Sequence, residues 1–277
     1  MRMMRICELL LLRVYNLKMT ILQSIILGIV EGITEFLPVS STAHLIIISK
    51  FLRLPQTDFQ KFFEVFIQSG AIFAVVLLYF NYILKNTKLI SKLLISFFPT
   101  AIVGFLLYKI IKNIFFESFI LIIFALIIVG LLFIFIEYLI KNKKVRLQKN
   151  INYLTTFEAI LVGLVQSIAV IPGVSRSGIV MLIMMVRGYK RDQAAQYSFL
   201  LAAPTIFAAS LYDFFKMRSI FATSTQYLPL LLIGFIASFI VAYIVMKWFI
   251  NYLQNNSLFY FGIYRIGLAI ILLISRP

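Results

Sequence analysis

Two glutamates, a run of hydroxyl side chains and the single histidine of this chain lie within one short stretch of otherwise apolar sequence. Residues 28–44 read GIVEGITEFLPVSSTAH and include Glu31, Glu35, Ser41 and His44. A hydroxyl can attack an electrophile, an imidazole or a carboxylate can take its proton, and paired carboxylates can hold a divalent cation. Because ionisable groups are costly inside a membrane, such a cluster indicates a functional site.

The two glutamates are four residues apart, so on a helix both carboxylates project from one face. Two like charges repel in a low-dielectric interior unless a cation lies near them. Oxygen ligands suit Mg²⁺ or Ca²⁺, above all where substrate phosphates complete the coordination shell. Glu31 and Glu35 are therefore predicted to hold one of these cations. A protonated glutamate that is hydrogen-bonded inside a helical bundle is the structural alternative.

The residues that follow Pro38 favour the start of a helix. Ser40, Ser41 and Thr42 are good N-cap residues, and a helix N-terminus offers free N–H groups that attract phosphate. His44 lies about one helical turn after Ser41, so we expect it to reach the same site, where an imidazole can act as a general base. Capping alone would also explain Ser40, and a buried, hydrogen-bonded imidazole would also explain His44.

A second cluster of small and polar residues occurs at 172–178, which read PGVSRSG. Gly173 lets the backbone approach a ligand closely, and Ser175 and Ser177 can cap the following helix and contact phosphate. Arg176 is a fixed cation whose planar fork matches phosphate oxygens. It is predicted to bind substrate phosphate, although an ion pair with a glutamate of the first cluster would also explain its position.

Three more polar residues interrupt apolar sequence. Glu64 and Gln68 are four residues apart, and Gln166 matches Glu31 in an internal repeat described below. We expect them to support the reacting groups, but hydrogen bonding within the helical bundle explains Glu64 and Gln68 equally well. Anion binders, a hydroxyl nucleophile, a base and carboxylates for a cation together favour phosphoryl transfer on a substrate that resides in lipid.

The composition is that of a membrane protein with several spans. The chain is 62% hydrophobic and 13% charged, with a mean hydropathy of +1.01, whereas soluble domains are about half apolar and about a quarter charged. The one cysteine, Cys7, excludes a disulfide framework and a cysteine-based metal site. The net charge of +16 comes from Lys and Arg residues in short loops between apolar runs, where contacts to lipid headgroups and the setting of membrane topology explain them. No nucleic-acid partner is therefore predicted.

Eight apolar stretches predict an all-α polytopic fold with about six transmembrane helices and two re-entrant helical hairpins. About twenty residues cross a bilayer as a helix, so six of the stretches suit ordinary spans. The other two, 20–48 and 157–186, contain Pro38 and Pro172, each of which ends a helix and favours a turn. The predicted spans are 62–84, 93–111, 119–140, 196–215, 228–250 and 257–275.

The two halves of the chain resemble each other. A shift of 135 residues superimposes several positions, namely Gly28 on Gly163, Glu31 on Gln166 and Ser40 on Ser175; Gly104-Phe105 matches Gly234-Phe235 with a slightly different shift. One hairpin and three spans give each half an odd number of crossings, so the second half is predicted to be inverted relative to the first. Repeat one covers about 20–140 and repeat two about 155–275, within a single domain at 19–277.

The start of the chain and its basic loops are interpreted separately. Residues 1–18 are basic and leucine-rich without a cleavage site, so they are predicted to be an N-terminal extension. This segment is either an interfacial helix or sequence that precedes a true start at Met19. The basic residues of 141–149, together with three lysines in 85–92, predict that this side of the protein faces the cytoplasm.

The two polar clusters resemble the signatures of a known family. EGITEFLPVSSTAH and PGVSRSG are similar to the motifs of the undecaprenyl pyrophosphate phosphatase family, which is associated with bacitracin resistance. Supporting stretches lie at 63–75 and 198–206 and at the Tyr264-Arg265 pair. The resemblance implies removal of the terminal phosphate of undecaprenyl pyrophosphate, which yields the lipid carrier for peptidoglycan synthesis. It also implies a bacterial plasma-membrane protein whose site opens to the outer face and depends on Mg²⁺ or Ca²⁺.

The resemblance also assigns roles to residues and identifies two departures. It implies functional roles for Glu31, Glu35, Ser41, His44 and Arg176. Ala43 stands where the family usually has glycine, and Val180 where it usually has threonine. A hydroxyl contact to phosphate or to the arginine is therefore expected to be missing, unless another hydroxyl such as Ser177 replaces it.

The resulting hypothesis is that Ser41 attacks the terminal phosphorus while His44 or a glutamate acts as the base. Attack by water or by His44 itself remains open. The predicted partners are a polyprenyl pyrophosphate lipid and the surrounding membrane lipids, and the sequence leaves a homodimer open. A lipid-carrier flippase or transporter is the alternative function, because inverted repeats with a midplane polar site are typical of alternating-access transporters.

Overall fold

The protein is described by a computed structural model that covers residues 19–55, 57–107, 118–223 and 227–275. The predicted N-terminal extension, 1–18, lies outside these residues. In chain order the described helices are α1 Ile21–Thr34, α2 Ser41–Phe51, α3 Asp58–Lys85, α4 Thr87–Leu106, α5 Phe119–Lys141, α6 Thr156–Gln166, α7 Arg176–Val186, α8 Arg191–Thr223, α9 Leu228–Asn255 and α10 Phe259–Ser275. Short 3₁₀ turns occur at Ile151–Tyr153 and Ser167–Val170.

The all-α polytopic fold is confirmed. Five helices, α3, α4, α5, α8 and α9, are long and apolar enough to cross a membrane. The sixth predicted span corresponds to α10, which has 17 residues and lies at the short end of the range for a crossing. Large apolar side chains stay exposed along one face of α5, as a lipid-facing surface requires; examples are Ile120, Phe124, Ile128, Leu131 and Phe135.

Both proline-containing stretches fold as hairpins of two short helices. The first connects α1 to α2 through a turn at 35–39 that contains Pro38. The second connects α6 and its 3₁₀ extension to α7 through a turn that contains Pro172. Polar backbone in these turns is tolerated at membrane depth only where protein or a wet cavity surrounds it. The hairpins therefore predict a protected interior site between their tips.

The same local signals begin corresponding helices in the two halves. Thr20 and Gln23 form a capping box at α1, and Thr155 and Glu158 form one at α6, again 135 residues later. Beyond the turns, Ser40 caps α2 with a φ of 74° and Ser175 caps α7 with a φ of 70°. Positive φ is strained for a residue with a Cβ and clusters at functional sites.

Helices of the first half pack against helices of the second half. Helix α1 packs on α9 while α6 packs on α4, and α3 packs on α8 while α5 packs on α10. A Cβ added to Gly28 would lie 2.5 Å from the Gly234 carbonyl oxygen, and one added to Gly163 would meet the carbonyl of Ser96. Because Gly28 matches Gly163 and Gly234 matches Gly104, the repeat suggested by the sequence would place Gly104 beside Gly163. Ser96 lies there instead, so helix packing does not follow the Gly104-Phe105 match.

Candidate active site

Glu35 is the centre of the polar contacts between the hairpins. It caps the C-terminus of α1, with its backbone N–H donating to the carbonyl of Glu31. One carboxylate oxygen, Oε2, accepts a hydrogen bond of 2.6 Å from Ser41 Oγ. The other, Oε1, accepts one of 2.7 Å from Arg176 Nη2. The carboxylate therefore connects the predicted nucleophile of the first hairpin to the predicted phosphate ligand of the second.

A polar cavity of about 150 Å³ lies beside this carboxylate. Both hairpins contribute to its lining, and the predicted site residues in that lining are Glu35, Ser40, Ser41, Thr42, Gln68, Gly173, Ser175 and Arg176. Ser177 lies next to it, with its hydroxyl 3.1 Å from the Ser175 hydroxyl and 3.1 Å from the Leu37 carbonyl oxygen that it bonds. The fold thus brings together two clusters that are far apart in sequence.

Arg176 has one engaged and one unengaged arm. Its Nη2 donates to Glu35, whereas its buried Nη1 has no hydrogen-bond partner among the described residues. The alternative of an ion pair with a glutamate is therefore realised, and it leaves a donor available. A guanidinium with one arm fixed by a carboxylate and the other unpaired suits an anion in the cavity.

Glu31 is the most deeply buried acidic group of the site. It is fully buried, and neither carboxylate oxygen has a hydrogen-bond partner in the described part of the chain. A buried carboxylate without compensation is costly, so a proton or a cation is required beside it. Among the described residues no group of three or more His, Cys, Asp or Glu could enclose a metal. Glu31 lines neither cavity, and a cation held by Glu31 and Glu35 stays a prediction from the sequence.

Both ring nitrogens of His44 have hydrogen-bond partners other than Ser41. Its Nδ1 lies 2.8 Å from the Ser40 carbonyl oxygen, and its Nε2 lies 2.7 Å from the Tyr264 hydroxyl. A carbonyl can only accept, so Nδ1 carries the proton and Nε2 accepts from the tyrosine. The two rings are nearly parallel, at an angle of 6°. In this arrangement Ser41 Oγ donates its hydrogen bond to Glu35, and His44 Nδ1 bonds the carbonyl of the strained residue Ser40.

Sequence reasoning gave no role to Tyr264 and Arg265, which it noted only as a family resemblance. Arg265 is completely buried and donates to three turn carbonyls, those of Pro38, Gly173 and Val174. It therefore ties the tips of both hairpins together from α10. A fixed cation in an otherwise apolar span was the signal that could have identified it.

The three predicted supporting residues differ in their contacts. Gln68 lines the polar cavity. Glu64 instead accepts hydrogen bonds from Ser49 and Gln60, which is the bundle-bonding alternative. Gln166 is buried and donates to Thr100 at 2.8 Å, while its Oε1 has no partner among the described residues. Both Glu64 and Gln166 line a second cavity described next.

A larger cavity of about 540 Å³ adjoins the polar one. Four residues line both cavities, namely Thr42, Gln68, Ala169 and Arg176. The remaining lining is mostly apolar and comes mainly from α3, α4 and α8, and it also includes the charged residues Lys61, Glu64 and Asp213. A compartment for a charged group therefore continues into a compartment for an apolar group, which is the arrangement that an amphipathic ligand requires.

The two departures from the family pattern lie in packed regions. Val180 is fully buried in the main hydrophobic core, and Ala43 is fully buried against α5 and α10. Val180 lines neither cavity. A threonine hydroxyl there would have to find its partner within the core rather than in the polar cavity.

The fold is that of a polytopic helical membrane protein with a polar cavity between the tips of two helical hairpins. The chain belongs to the bacitracin resistance protein BacA family, whose family model matches residues 24–271. It is 46% identical over 253 residues to an undecaprenyl-diphosphatase of Aquifex aeolicus, covering 91% of this chain and 97% of the relative. Relatives of the same description from Sulfurihydrogenibium sp. and Campylobacter fetus are 47% and 46% identical, covering 91% and 92% of this chain and 98% and 99% of the relatives.

Proposed function

We propose that this protein hydrolyses undecaprenyl pyrophosphate to undecaprenyl phosphate and inorganic phosphate, which recycles the lipid carrier of peptidoglycan synthesis and underlies bacitracin resistance. The family and the names of its relatives support the reaction. The structural observation that carries the proposal is the polar cavity of Ser41, Glu35 and Arg176 opening into the apolar cavity. One compartment suits a pyrophosphate and the other suits a polyprenyl chain.

The proposed reaction has two steps. Glu35 takes the proton of Ser41 Oγ, which forms a bond to the terminal phosphorus while the bond from that phosphorus to the bridging oxygen breaks. Undecaprenyl phosphate leaves with the bridging oxygen. Water then attacks the phosphoserine, the bond from phosphorus to Ser41 Oγ breaks, and Glu35 returns its proton to that oxygen as inorganic phosphate departs with both protons of the water. The unengaged arm of Arg176 binds the phosphate oxygens, and Ser40 and Ser175 place two helix N-termini beside them.

A divalent cation, Mg²⁺ or Ca²⁺, is part of the proposal. Glu31 and Glu35 would hold it, because the oxygens of Glu31 are buried and lack other partners among the described residues. When bound, such a cation neutralises charge on phosphate oxygens. In its absence two neighbouring carboxylates would share the site, so the cation also accounts for their coexistence.

The proposal places the protein in the bacterial plasma membrane with its site open to the outer side. The first turn of α4 carries Lys88, near the basic loops assigned to the cytoplasm, while the last turn carries Gly104 and Phe105. These last two residues line the apolar cavity, so that cavity extends towards the opposite, outer side. A homodimer stays a prediction from the sequence.

Phosphate release by the purified protein in detergent tests the function. We expect release from undecaprenyl pyrophosphate, loss of release with EDTA, and recovery with excess Mg²⁺ or Ca²⁺. A flippase or transporter would release no phosphate in detergent, where no membrane separates two sides. Absence of release with either metal present would therefore favour the transport alternative.

A further inference from the structure

The wall of the apolar cavity is built from aligned helix faces. Helix α4 contributes Phe97, Thr100, Ala101, Gly104 and Phe105, and α8 contributes Thr205, Ala208, Ala209, Tyr212 and Asp213. Both sets follow the spacing of a single helix face. At the outer end the rings of Phe105 and Tyr212 approach each other across the two helices, with centroids 6.4 Å apart. The cavity therefore runs between α4 and α8 from the polar site towards this aromatic pair.

Gly104 differs from most helix glycines of the protein. A Cβ at Gly28, Gly32, Gly70 or Gly163 would collide with the backbone of a packed helix, so close helix packing explains those glycines. A Cβ at Gly104 would meet no described atom within 4 Å, although the residue lines the apolar cavity. Its φ is not among the positive ones. Neither packing nor backbone geometry requires glycine there, and glycine weakens a helix relative to alanine.

We propose that Gly104 determines which lipid chains the protein accepts, because the space left by the missing side chain forms part of the passage for the polyprenyl chain. This inference rests on the proposed function and names a specificity-determining position for it. The occupant is a polyprenyl chain because the cavity is continuous with the polar site through Arg176.

A graded series at position 104 tests the proposal. Gly104→Ala, Gly104→Leu and Gly104→Phe would be assayed for phosphate release from undecaprenyl pyrophosphate and from a five-carbon prenyl pyrophosphate. We expect kcat/KM for the long substrate to fall progressively with side-chain size, by at least about tenfold for phenylalanine, mainly through KM. The five-carbon substrate, whose tail is short, should be affected much less.

Gly267 on α10 provides a matched control. It is exposed, and a Cβ there also meets no described atom within 4 Å, but the residue does not line either cavity. We expect Gly267→Phe to keep the substrate preference of the unaltered protein. An unchanged preference in the Gly104 series, or equal losses on long and short substrates, would overturn the proposal.

A binding measurement separates this proposal from the proposed function. Undecaprenyl phosphate should raise the unfolding temperature of the unaltered protein, since a ligand that binds the folded state stabilises it. The shift should shrink in Gly104→Phe and persist in Gly267→Phe. A protein that binds the lipid with this pattern but releases no phosphate would contradict the hydrolase and leave the role of Gly104 intact. Equal shifts in both variants would contradict that role.

Discussion

At the residue scale, the hydrogen bond of 2.6 Å from Ser41 to Glu35 is the contact on which the proposed chemistry depends. Ser41→Ala removes the attacking oxygen while leaving the lining of the cavity in place. We expect kcat to fall by at least about a thousandfold with substrate binding nearly retained. Initial-rate kinetics and lipid binding measure the two effects. Ser24→Ala, which removes another buried serine hydroxyl bonded to the Leu230 carbonyl, is the control for folding.

A mutant with near-normal turnover would move the nucleophile to water. Glu35 would then activate that water directly, and the remaining contacts of the site would keep their assigned roles. Loss of lipid binding together with turnover would instead indicate that Ser41 mainly shapes the cavity.

The role of His44 is tested by replacing each ring nitrogen separately. An asparagine amide can take the place of Nδ1 and donate to the Ser40 carbonyl, whereas a glutamine amide lies nearer to the position of Nε2. Because His44 Nδ1 bonds the Ser40 carbonyl oxygen, we expect His44→Asn to retain clearly more activity than His44→Gln. Rates of both variants measured across pH provide the comparison. Equal, complete losses would support His44 as the general base.

The unengaged arm of Arg176 is tested by a charge-conserving change. Lysine keeps a positive charge but cannot bond Glu35 and a phosphate with a planar fork. We expect Arg176→Lys to stay within about tenfold of the low activity of Arg176→Ala, since the fork rather than the charge is required. Kinetics of both variants against a lipid pyrophosphate decide it. Recovery of most of the rate in the lysine variant would show that Arg176 acts as a point charge.

Residue types and spacing predicted many residues of this site but not the orientation of their side chains. Ser41 and Arg176 were predicted because polar groups inside apolar sequence are costly and need a reason. The orientation of His44 was not predictable, because its partner Tyr264 lies 220 residues away in sequence. A one-turn spacing places an imidazole near a hydroxyl, and only the tertiary contact decides which way the ring turns.

At the scale of elements, Arg265 holds the two hairpin tips in register from α10. Replacing it by leucine would leave the carbonyls of Pro38, Gly173 and Val174 without this donor in a buried setting, at about 1–3 kcal/mol for each group left unsatisfied. We therefore expect Arg265→Leu to lower the unfolding temperature in detergent markedly.

The exposed Lys88 on α4 offers a control for loss of one positive charge. Lys88→Leu should leave the unfolding temperature nearly unchanged. If Arg265→Leu unfolds at the same temperature as the unaltered protein, the arginine does not stabilise the hairpin tips and its contacts have another purpose.

The elements themselves were largely readable from the sequence. Pro38 and Pro172 predicted the two hairpins because proline ends a helix. The capping boxes at Thr20 and Thr155, which follow the same 135-residue shift, were not identified from the sequence, and helix packing does not follow the match of Gly104 with Gly234. Hydrophobic residues align by chance in membrane helices, whereas caps and prolines carry information about chain direction.

At the scale of the whole molecule, function depends on two compartments that no single segment contains. The polar cavity needs both hairpins, and the apolar cavity needs faces of α3, α4 and α8. Sequence patterns predicted an interior site but not the second cavity, because that cavity forms only where helices from both halves pack together. Membership in the BacA family and the continuity of the cavities together support hydrolysis of a lipid pyrophosphate.

Hydrolysis in water labelled with oxygen-18 tests that central claim most directly. Attack on the terminal phosphorus through Ser41, followed by hydrolysis of the phosphoserine, puts the label into inorganic phosphate and leaves undecaprenyl phosphate unlabelled. Mass spectrometry of both products from the purified, metal-supplied protein measures this distribution. Label in the lipid phosphate would show attack at the inner phosphorus and contradict the proposed reaction, and absence of both products would contradict the hydrolase itself.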